Sequence, residues 1–301
     1  MKRIIGLLIL LALLLVGCTT NQKSGTEKMT LTVGVMPAVG AAPIFLAKEQ
    51  GYFDKLNLDV TIQVFSSPQD RQTALQTNTI DGAITDLIAV ATNVNSGFDI
   101  KATTLTEGMF IILANEESIE KKSVSVGLME ISVTNFLVDQ WLGQDYTIEK
   151  VYINAIPARL EALVSGQLDM GIFPEPVASS GAQRGLKKLI FEPIDGFSPD
   201  VMVFTKKARD EKADALKAFH EAYNLAVKAI KDNETLARDT LIKNIPNVSE
   251  DIKDLISLPE YHEARLPDID YLNKIINWTN GVLEEPLTIE AQDLIDTQFI
   301  R

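Results

Sequence analysis

The chain has 301 residues, of which 46% are hydrophobic, and a formal net charge of −13 at pH 7. This length is sufficient for two lobes of ordinary domain size. No long basic cluster accompanies the acidic balance, which disfavours nucleic-acid binding because such proteins neutralise phosphates with Lys and Arg. The chain contains one cysteine, so a disulfide within one chain is excluded.

The first 17 residues have the features of a secretory signal peptide. Lys2 and Arg3 precede an apolar run over 4–16 that is shorter than the roughly 20 residues of a membrane-spanning helix. The residues Leu15-Val16-Gly17-Cys18 resemble a bacterial lipobox, in which the cysteine is lipidated and becomes the first mature residue. We therefore predict a signal peptide over 1–17 and a lipid on Cys18 that anchors the protein on the extracytoplasmic face of the cell membrane. The polar residues 18–28 predict a flexible tether.

Strands and helices alternate in the first part of the mature chain. Apolar alternation and Val, Ile and Thr content indicate the strands, and apolar residues at helical spacing indicate the helices. This order predicts a parallel sheet that is covered on both faces. The predicted elements are strands at 29–36, 58–65 and 80–84 and helices at 43–50, 68–77 and 86–94.

A second α/β unit follows, and part of it echoes the first. The stretch 162–172 aligns with 74–84, and Gly166 falls at the position of Asn78. Gly and Asn are the residues that best tolerate the left-handed turn at a helix end, so the echo predicts the same helix, turn and buried strand in each half. The predicted strands are 109–114, 123–127, 148–153 and 168–172, with helices at 134–142 and 157–164.

The last third of the chain is predicted to be mainly helical. An extended piece at 199–205 precedes helices at 210–231 and 234–244, and prolines punctuate the residues that follow. We expect the chain to return to the first unit, which gives lobe 1 over 29–107 and 206–301 and lobe 2 over 108–205. The segments 103–107 and 201–205 would then cross between the lobes and form the hinge.

Two stretches of the first unit carry a family resemblance. Pro43 to Phe53 (PIFLAKEQGYF) and Leu58-Asp59-Val60 resemble the opening of the SsuA/THI5-like (NMT1-like) solute-binding proteins, and the match continues through 74–83, 162–169 and Glu175-Pro176. It covers most of residues 30–205.

This resemblance implies an α/β fold of the two-lobed, type II periplasmic-binding-protein kind, with two crossover strands as the hinge and the helical C-terminal segment packed on lobe 1. It also implies that the protein captures a small solute in the cleft between the lobes and delivers it to the permease and ATPase of an ABC importer. The implied solutes are sulfonates, taurine, nitrate-like anions and thiamine-precursor pyrimidines.

Ligands of open α/β sheets bind beyond the carboxyl ends of the strands, so the candidate contacts lie in strand-to-helix loops and at the crossing segments. The small residues after the first strand allow a ligand to approach the backbone closely, and the resemblance implies ligand contact at the helix start over 130–134. Phe173 is a candidate apolar wall. The candidate ligand contacts are Pro37, Ala38, Gly40, Ala41, Ser66, Ser67, Gln69, Thr85, Asp86, Glu107, Glu130, Ser132, Phe173 and Glu175.

The charges in these loops leave the sign of the ligand open. Asp86, Glu107, Glu130 and Glu175 are acidic, and Arg71 is the only basic residue nearby. An acidic rim suits an amine or aminopyrimidine, whereas helix amino termini hold anions unaided. Asp86 and Ser67 also fit helix caps, and Glu175 also fits a structural role.

Two other functions are consistent with the same fold. A receptor module would use the same clamp to report ligand to a membrane sensor without transport. A pyrimidine-synthesis enzyme of the THI5 type needs histidine and cysteine chemistry, but His220 and His262 lie far in sequence from the cleft loops and Cys18 is assigned to the anchor. No metal-ligand spacing or catalytic motif is present, so we expect a monomeric binding protein without catalysis, metal or cofactor.

Overall fold

The structure is a computed structural model that describes residues 27–300. The predicted signal peptide 1–17, the anchor Cys18 and most of the tether 18–28 lie outside the described residues. Among the residues that are described, no helix has both the length and the apolar character that a membrane crossing requires.

Lobe 1 is built on a five-stranded sheet in the order β2-β1-β3-β10-β4. β1 runs parallel to β2 and β3, whereas β10 runs antiparallel to β3 and β4. The expected parallel sheet is therefore mixed, because β10 enters from lobe 2 in the opposite direction. The strands are β1 (Met29–Val35), β2 (Leu58–Val64), β3 (Gly82–Asp86), β4 (Ile100–Leu105) and β10 (Asp200–Thr205).

Helices cover both faces of this sheet, as the alternating sequence pattern predicts. Pro68 begins α3, and the side chain of Ser67 caps this helix by accepting a hydrogen bond from the Asp70 N–H at 3.3 Å. Asp86 caps α4 in the same way. A 3₁₀ turn at Val39–Ala41 precedes the first of the helices, which are α1 (Ala42–Glu49), α2 (Tyr52–Lys55), α3 (Pro68–Gln76) and α4 (Leu87–Asn95).

Lobe 2 has a second five-stranded sheet, in the order β7-β6-β8-β5-β9. β6 runs parallel to β7 and β8, and β5 runs antiparallel to β8 and β9. The strands are β5 (Phe110–Ala114), β6 (Ser123–Leu128), β7 (Thr147–Tyr152), β8 (Met170–Pro174) and β9 (Lys187–Leu189). The helices are α5 (Val133–Leu142), α6 (Ile156–Val164) and α7 (Val177–Gln183).

The last third of the described chain is mainly helical. The predicted helix at 210–231 is divided into two helices at Lys212, whose ammonium lies 2.8 Å from the Asp81 carboxylate. Phe219 of the second of these stacks on Phe53 of lobe 1 with the ring centroids 5.6 Å apart. The helices are α8 (Lys206–Glu211), α9 (Ala213–Asp232), α10 (Thr235–Asn244) and α11 (Ile269–Val282), with 3₁₀ turns at Glu250–Leu255, Ala291–Leu294 and Thr297–Phe299.

The internal echo has the same local structure in both lobes. Asn78 and Gly166 both have positive φ, at 54° and 75°, as the left-handed turn requires. Asp81 and Asp169 follow these turns, and each carboxylate accepts a backbone N–H from the neighbouring strand, Thr32 at 2.8 Å and Ser125 at 2.9 Å. The two lobes therefore contain the same unit, placed once in each sheet.

The boundary between the lobes differs from the expected one. β10 lies between β3 and β4 in the lobe 1 sheet, so residues 200–205 belong to lobe 1 and not to the expected lobe 2 range 108–205. β4 and β10 are hydrogen-bonded to each other along their length. The predicted crossing segments 103–107 and 201–205 lie largely within these strands, whereas the chain passes between the sheets at 106–109 and 190–199.

The C-terminal third contacts both lobes and not lobe 1 alone. α9 and α10 pack on α1 of lobe 1. Trp278 of α11 packs edge-on against Phe136 of lobe 2 and donates a hydrogen bond to the Asp139 carboxylate at 3.0 Å. The reason is that α11 packs beside α4 at the face where one hydrophobic core runs from lobe 1 into lobe 2.

Candidate functional site

Two cavities lie where the lobes meet. The larger, about 680 Å³, is lined by residues 107–110 and 190–199 of the connections and by residues 257–265 of the C-terminal third, among others. The smaller, about 130 Å³, lies between the lobes. We take this smaller cleft cavity as the candidate site because it lies at the carboxyl ends of strands from both sheets, where open α/β sheets bind their ligands.

Lobe 1 lines the cleft cavity with the loop after β1, the start of α3, the end of β3 and the first residue of β10. Gly40 in the first loop lies against the connection between the lobes, because a Cβ at this position would be 2.9 Å from the Thr106 carbonyl oxygen. The lobe 1 lining consists of Met36, Pro37, Ala38, Gly40, Ala41, Pro68, Arg71, Ile84, Thr85, Asp86 and Asp200.

Lobe 2 lines the opposite wall with the corresponding strand ends and helix starts. Ser132 caps α5 by accepting the Thr134 N–H at 3.2 Å, and the two hydroxyl oxygens are 2.6 Å apart. The lobe 2 lining consists of Phe110, Met129, Ser132, Val133, Thr134, Ile156, Arg159, Pro174 and Val177.

Arg71 is a buried cation in the lobe 1 wall. Its side chain is in α3, the residue is 7% exposed, and Nη2 donates a hydrogen bond to the Thr85 hydroxyl at 2.8 Å. Nε has no hydrogen-bond partner among the described residues. Burial lowers the pKa of Arg71, and the negative charges of Asp86 and Asp200 oppose that shift.

Two carboxylates share the lobe 1 wall with Arg71. Asp86 accepts the N–H groups of Ile88 and Ala89 at 3.0 and 2.9 Å, yet burial raises its pKa above the ordinary value. Burial and the nearby charge of Asp86 raise the pKa of Asp200 to about 7, and Arg71 acts in the opposite direction. The two acids therefore titrate as an interacting pair beside one guanidinium.

Arg159 is a buried cation in the lobe 2 wall. It is 1% exposed, and Nη1 donates a hydrogen bond to the Ile153 carbonyl at 2.8 Å. The guanidinium lies over the Phe173 ring at 5.2 Å, and Nε has no partner among the described residues. Burial alone lowers the pKa of Arg159 to about 10. A buried guanidinium with an unmet donor favours an acceptor group on a ligand.

The two arginines occupy equivalent positions in the two lobes. Arg71 lies three residues before Ala74, and Arg159 lies three residues before Ala162, which is the residue that the echo aligns with Ala74. Both side chains line the cleft cavity. Extending the echo by three residues towards its amino-terminal end would have identified this pair from the sequence.

Half of the predicted contacts line the cleft cavity. They come from the loop after β1, the end of β3 and the start of α5, as the strand-end rule requires. Asp86 both caps its helix and lines the cavity. The predicted contacts that line the cavity are Pro37, Ala38, Gly40, Ala41, Thr85, Asp86 and Ser132.

Four other predicted contacts do not line the cleft cavity. Ser66, Gln69 and Glu130 are exposed, and Ser67 is half-buried at its helix cap. Pro68, Arg71 and Met129 line the cavity in their place.

Glu107 lies at the larger cavity and not at the cleft cavity. Its carboxylate forms an ion pair with Arg265 at 2.9 Å and a hydrogen bond with His262 Nδ1 at 3.1 Å. Glu107 thus ties the connection between the lobes to the C-terminal third, and His262, although distant in sequence, lies next to it.

Phe173 and Glu175 are fully buried and have structural contacts. Phe173 packs in the core of lobe 2 beneath Arg159. The Glu175 carboxylate pairs with Lys188 and accepts hydrogen bonds from Ser179 Oγ at 2.8 Å and from the Ser257 N–H at 3.1 Å. The Glu175 carbonyl accepts the Val39 N–H at 3.1 Å, which joins the two lobes through backbone atoms.

Arg159 and Asp200 are not among the contacts predicted from the sequence. Arg159 lies within a helix and not in a strand-to-helix loop. Asp200 lies in the extended piece 199–205, directly before the segment 201–205 that was predicted as part of the hinge. The signal for Asp200 is a charge at the first position of an otherwise apolar strand, DVMVFT. Within residues 27–300, no group of His, Cys, Asp and Glu side chains has the arrangement of a metal site.

Several known proteins with related sequences or structures are named as solute-binding proteins. A protein of Bacillus subtilis (strain 168) that is named as an aliphatic sulfonates-binding protein is 23% identical, and the alignment covers 98% of this chain and 96% of that protein. The ligand-binding component of an ABC-type import system from Staphylococcus aureus, solved with zinc bound, has a TM-score of 0.73 at 17% identity and covers 90% of this chain and 98% of its own.

The periplasmic aliphatic sulphonate binding protein SsuA from Escherichia coli has a TM-score of 0.68 at 16% identity, with 89% of this chain and 92% of that chain covered. These similarities confirm the predicted two-lobed periplasmic-binding-protein fold. The model of the NMT1-like family matches residues 24–239, which is most of the chain. The protein belongs to the NMT1-like family.

Proposed function

We propose that the chain is an extracytoplasmic solute-binding lipoprotein that captures a small molecule between its lobes and delivers it to the permease of an ABC importer. The observation that carries this proposal is the cleft cavity, which both lobes line at their strand ends and whose lining includes one buried arginine from each lobe, Arg71 and Arg159. A guanidinium has several N–H donors, but each of these two makes a single hydrogen bond within the described residues, so the remaining donors support a ligand with acceptor groups at this place.

The mechanism is a shift between open and closed arrangements of the lobes. Only the closed arrangement lets one molecule touch Arg71 and Arg159 together, so ligand binding favours it. The hydrogen bond between the Val39 N–H and the Glu175 carbonyl belongs to this closed arrangement. The importer would then recognise the closed pair of lobes.

The proposed solute is a small organic molecule, either a thiamine-precursor pyrimidine or a sulfonate, taurine or nitrate-like solute. The cavity volume of about 130 Å³ is below the range of roughly 300–1,000 Å³ that is typical of sites for drug-sized ligands, which favours a ligand with few heavy atoms. Sulfonate binding by relatives supports an oxyanion, and the acids of lobe 1 support an amine.

The test of this function combines binding with transport. The protein should bind at least one of these solutes in isothermal titration, and deletion of its gene should abolish uptake of the same solute. A receptor module would bind the solute but leave uptake unchanged after deletion. We propose no catalysis in the cleft cavity, since neither His220 nor His262 lines it and both ring nitrogens of His220 are occupied by Leu216 and Thr103 within the core.

The lipid anchor and the monomeric state are separate parts of the proposal. Cys18→Ala should release the protein from the membrane fraction, because the predicted lipid on this side chain supplies the membrane affinity. Retention of the variant in the membrane fraction would contradict the anchor. Light scattering of the detergent-extracted protein should give the mass of one chain.

A further inference from the structure

The two walls of the cleft cavity differ in charge. The lobe 1 wall holds Asp86 and Asp200 beside one guanidinium, Arg71, whereas Arg159 is the only charged side chain that residues 27–300 place on the lobe 2 wall. A ligand that spans the cavity therefore meets acceptors on one side and a cation on the other.

The lobe 2 wall is built to receive an oxyanion. Arg159 is 1% exposed and its Nε is unpartnered among the described residues. The amino termini of α5 and α6 lie at the same wall, through Ser132, Thr134 and Ile156, and helix amino termini favour negative groups. No carboxylate side chain lies among the residues that line this wall.

The lobe 1 wall is built to receive a donor group. Two backbone N–H groups already bond Asp86, whereas Asp200 lines the cavity and is half-buried, with its carboxylate against Gly108 of the connection between the lobes, where a Cβ would overlap it. Two carboxylates near one guanidinium leave an excess of acceptors on this wall. An ammonium group supplies the donors and the charge that this excess requires.

We propose that the solute is a short zwitterion, whose oxyanion binds Arg159 on lobe 2 and whose ammonium group binds Asp200 and Asp86 on lobe 1. This inference rests on the proposed solute-binding function and narrows its substrate class. Because opposite ends of the ligand are held by opposite lobes, the zwitterion itself draws the lobes together. Asp200 and Arg159 are then the residues that determine specificity.

The test uses probes in which one charged end is removed at a time. The zwitterions are ω-aminoalkanesulfonates with one to three methylene groups, together with β-alanine, and the matched probes are ethanesulfonate and ethanolamine. The full chain, expressed in bacteria with its leader and extracted in mild detergent, is titrated with each by calorimetry. At least one zwitterion should bind about tenfold or more tightly than either single-charge probe, which is the change expected for one charge-assisted hydrogen bond.

Variants assign the two ends. Asp200→Asn should weaken zwitterion binding about tenfold and leave ethanesulfonate binding unchanged, whereas Arg159→Met should weaken both. The matched controls are Asp254→Asn and Arg184→Met, which remove the same charges from exposed positions outside the cavity. Both controls should bind all probes as the unmodified chain does.

Several results would overturn the proposal. If ethanesulfonate binds as tightly as the zwitterions, the site recognises only the anionic end. If ethanolamine binds as tightly as the zwitterions, the site recognises only the cationic end. If no probe binds but a low-molecular-weight cell extract still compacts the protein in X-ray scattering, the zwitterion is wrong and the solute-binding function stands. If the extract also has no effect, both proposals are wrong.

Discussion

At the scale of single residues, His220 is a neutral histidine in the core of lobe 1. The Leu216 carbonyl can only accept, so Nδ1 carries the proton at 2.7 Å from it, and Nε2 accepts from the Thr103 hydroxyl at 2.9 Å. Burial lowers the pKa of His220 to about 4. The imidazole of His220 is therefore protonated near pH 6.5 in the unfolded chain but only near pH 4 in the folded protein.

This difference predicts acid sensitivity. The contribution of His220 to stability is fully present above pH 6.5 and is lost as the pH falls towards 4. Acidification from pH 7 to pH 5 should therefore lower the free energy of unfolding by about 2 kcal/mol through this residue. His220→Gln should be less stable at pH 7 but should lose less on acidification than the unmodified protein. Urea unfolding at the two pH values measures this, and equal losses would contradict the neutral buried histidine.

Asp200 predicts that the stability of the ligand-free protein depends on pH with the opposite sign. Its pKa is raised to about 7 in the fold, from an ordinary value of 3.8, by burial and by the charge of Asp86. The folded protein therefore holds a proton that the unfolded chain has released. Its contribution is fully present below pH 3.8 and is lost as the pH rises through 7.

Asp200→Asn removes this contribution. In melting curves from pH 5 to 8, the variant should lose less stability on alkalinisation than the unmodified protein does, because the amide does not titrate. Asp254→Asn serves as the control at an exposed position. Parallel curves for Asp200→Asn and the unmodified protein would show that Asp200 ionises in the fold as it does in water.

Lys188 and Lys187 are adjacent lysines with different expected effects. Lys188 reaches the fully buried Glu175 carboxylate, whereas Lys187 pairs with Glu116 and both of those side chains are exposed. Lys188→Met should lower the free energy of unfolding by about 3–5 kcal/mol, because it leaves a buried charge uncompensated. Lys187→Met should cost at most about 1 kcal/mol. Denaturant unfolding of both variants decides whether the Glu175 network has this structural role.

The sequence could predict site residues where the strand-end rule applies directly. Asp86 and Ser132 begin helices after strands, so their positions follow from the element boundaries alone. Phe173 lies one residue before a strand ends, where side chains still alternate into the core. Arg159 reaches the cavity from within α6, where the strand-end rule does not apply. Asp200 reaches the cavity because β10 inserts into the sheet of lobe 1, and no local sequence pattern encodes this insertion.

At the scale of elements, the loop between β1 and α1 is held against the connection between the lobes. A Cβ at Gly40 would lie 2.9 Å from the Thr106 carbonyl oxygen, whereas a Cβ at Gly281 of α11 would meet nothing within 4 Å. The loop and the connection can keep this contact only if residue 40 has no side chain.

Gly40→Ala should therefore displace the loop from Thr106 and weaken ligand binding about tenfold or more, a loss of about 1.4 kcal/mol of binding free energy. Gly281→Ala should bind ligand normally and change stability by at most about 1 kcal/mol, since alanine is favoured over glycine in a helix. Titration and melting of both variants check this. Normal binding by Gly40→Ala would contradict the role of the close contact.

Among the elements, local signals predicted most strands and most helices of both lobes, but not β9 and not the first residues of β4. Asn78 and Gly166 marked left-handed turns, and Ser67-Pro68 marked a helix start. The break at Lys212 was not predicted, because a lysine that leaves the helix to pair with Asp81, more than a hundred residues earlier, gives no periodic signal. The antiparallel entry of β10 also depends on contacts between distant segments.

At the scale of the whole molecule, the C-terminal third connects the lobes in addition to covering lobe 1. Trp278 contacts Phe136 and Asp139 of lobe 2, and Lys188 of lobe 2 donates to the Leu255 carbonyl at 2.7 Å. Together with the two connections at 106–109 and 190–199, these contacts limit how the lobes separate. We expect a hinge motion that opens the cleft mouth while the α11 side stays packed.

The distance across the cleft mouth is the sharpest measure of whether the two lobes close on a ligand. Spin labels on Gln69→Cys and Glu130→Cys, in a Cys18→Ala background, mark exposed positions next to cavity-lining residues of lobe 1 and lobe 2, and a pair on Glu130→Cys and Gln183→Cys reports lobe 2 alone. Electron-spin distance measurements with and without the probe solutes and a low-molecular-weight cell extract should show the first distance shorten on binding and the second unchanged. One result would contradict the clamp directly: a solute binds, Arg159→Met weakens that binding, and the first distance nevertheless stays unchanged. The clamp would also be contradicted if neither Arg159→Met nor Gly40→Ala weakened solute binding.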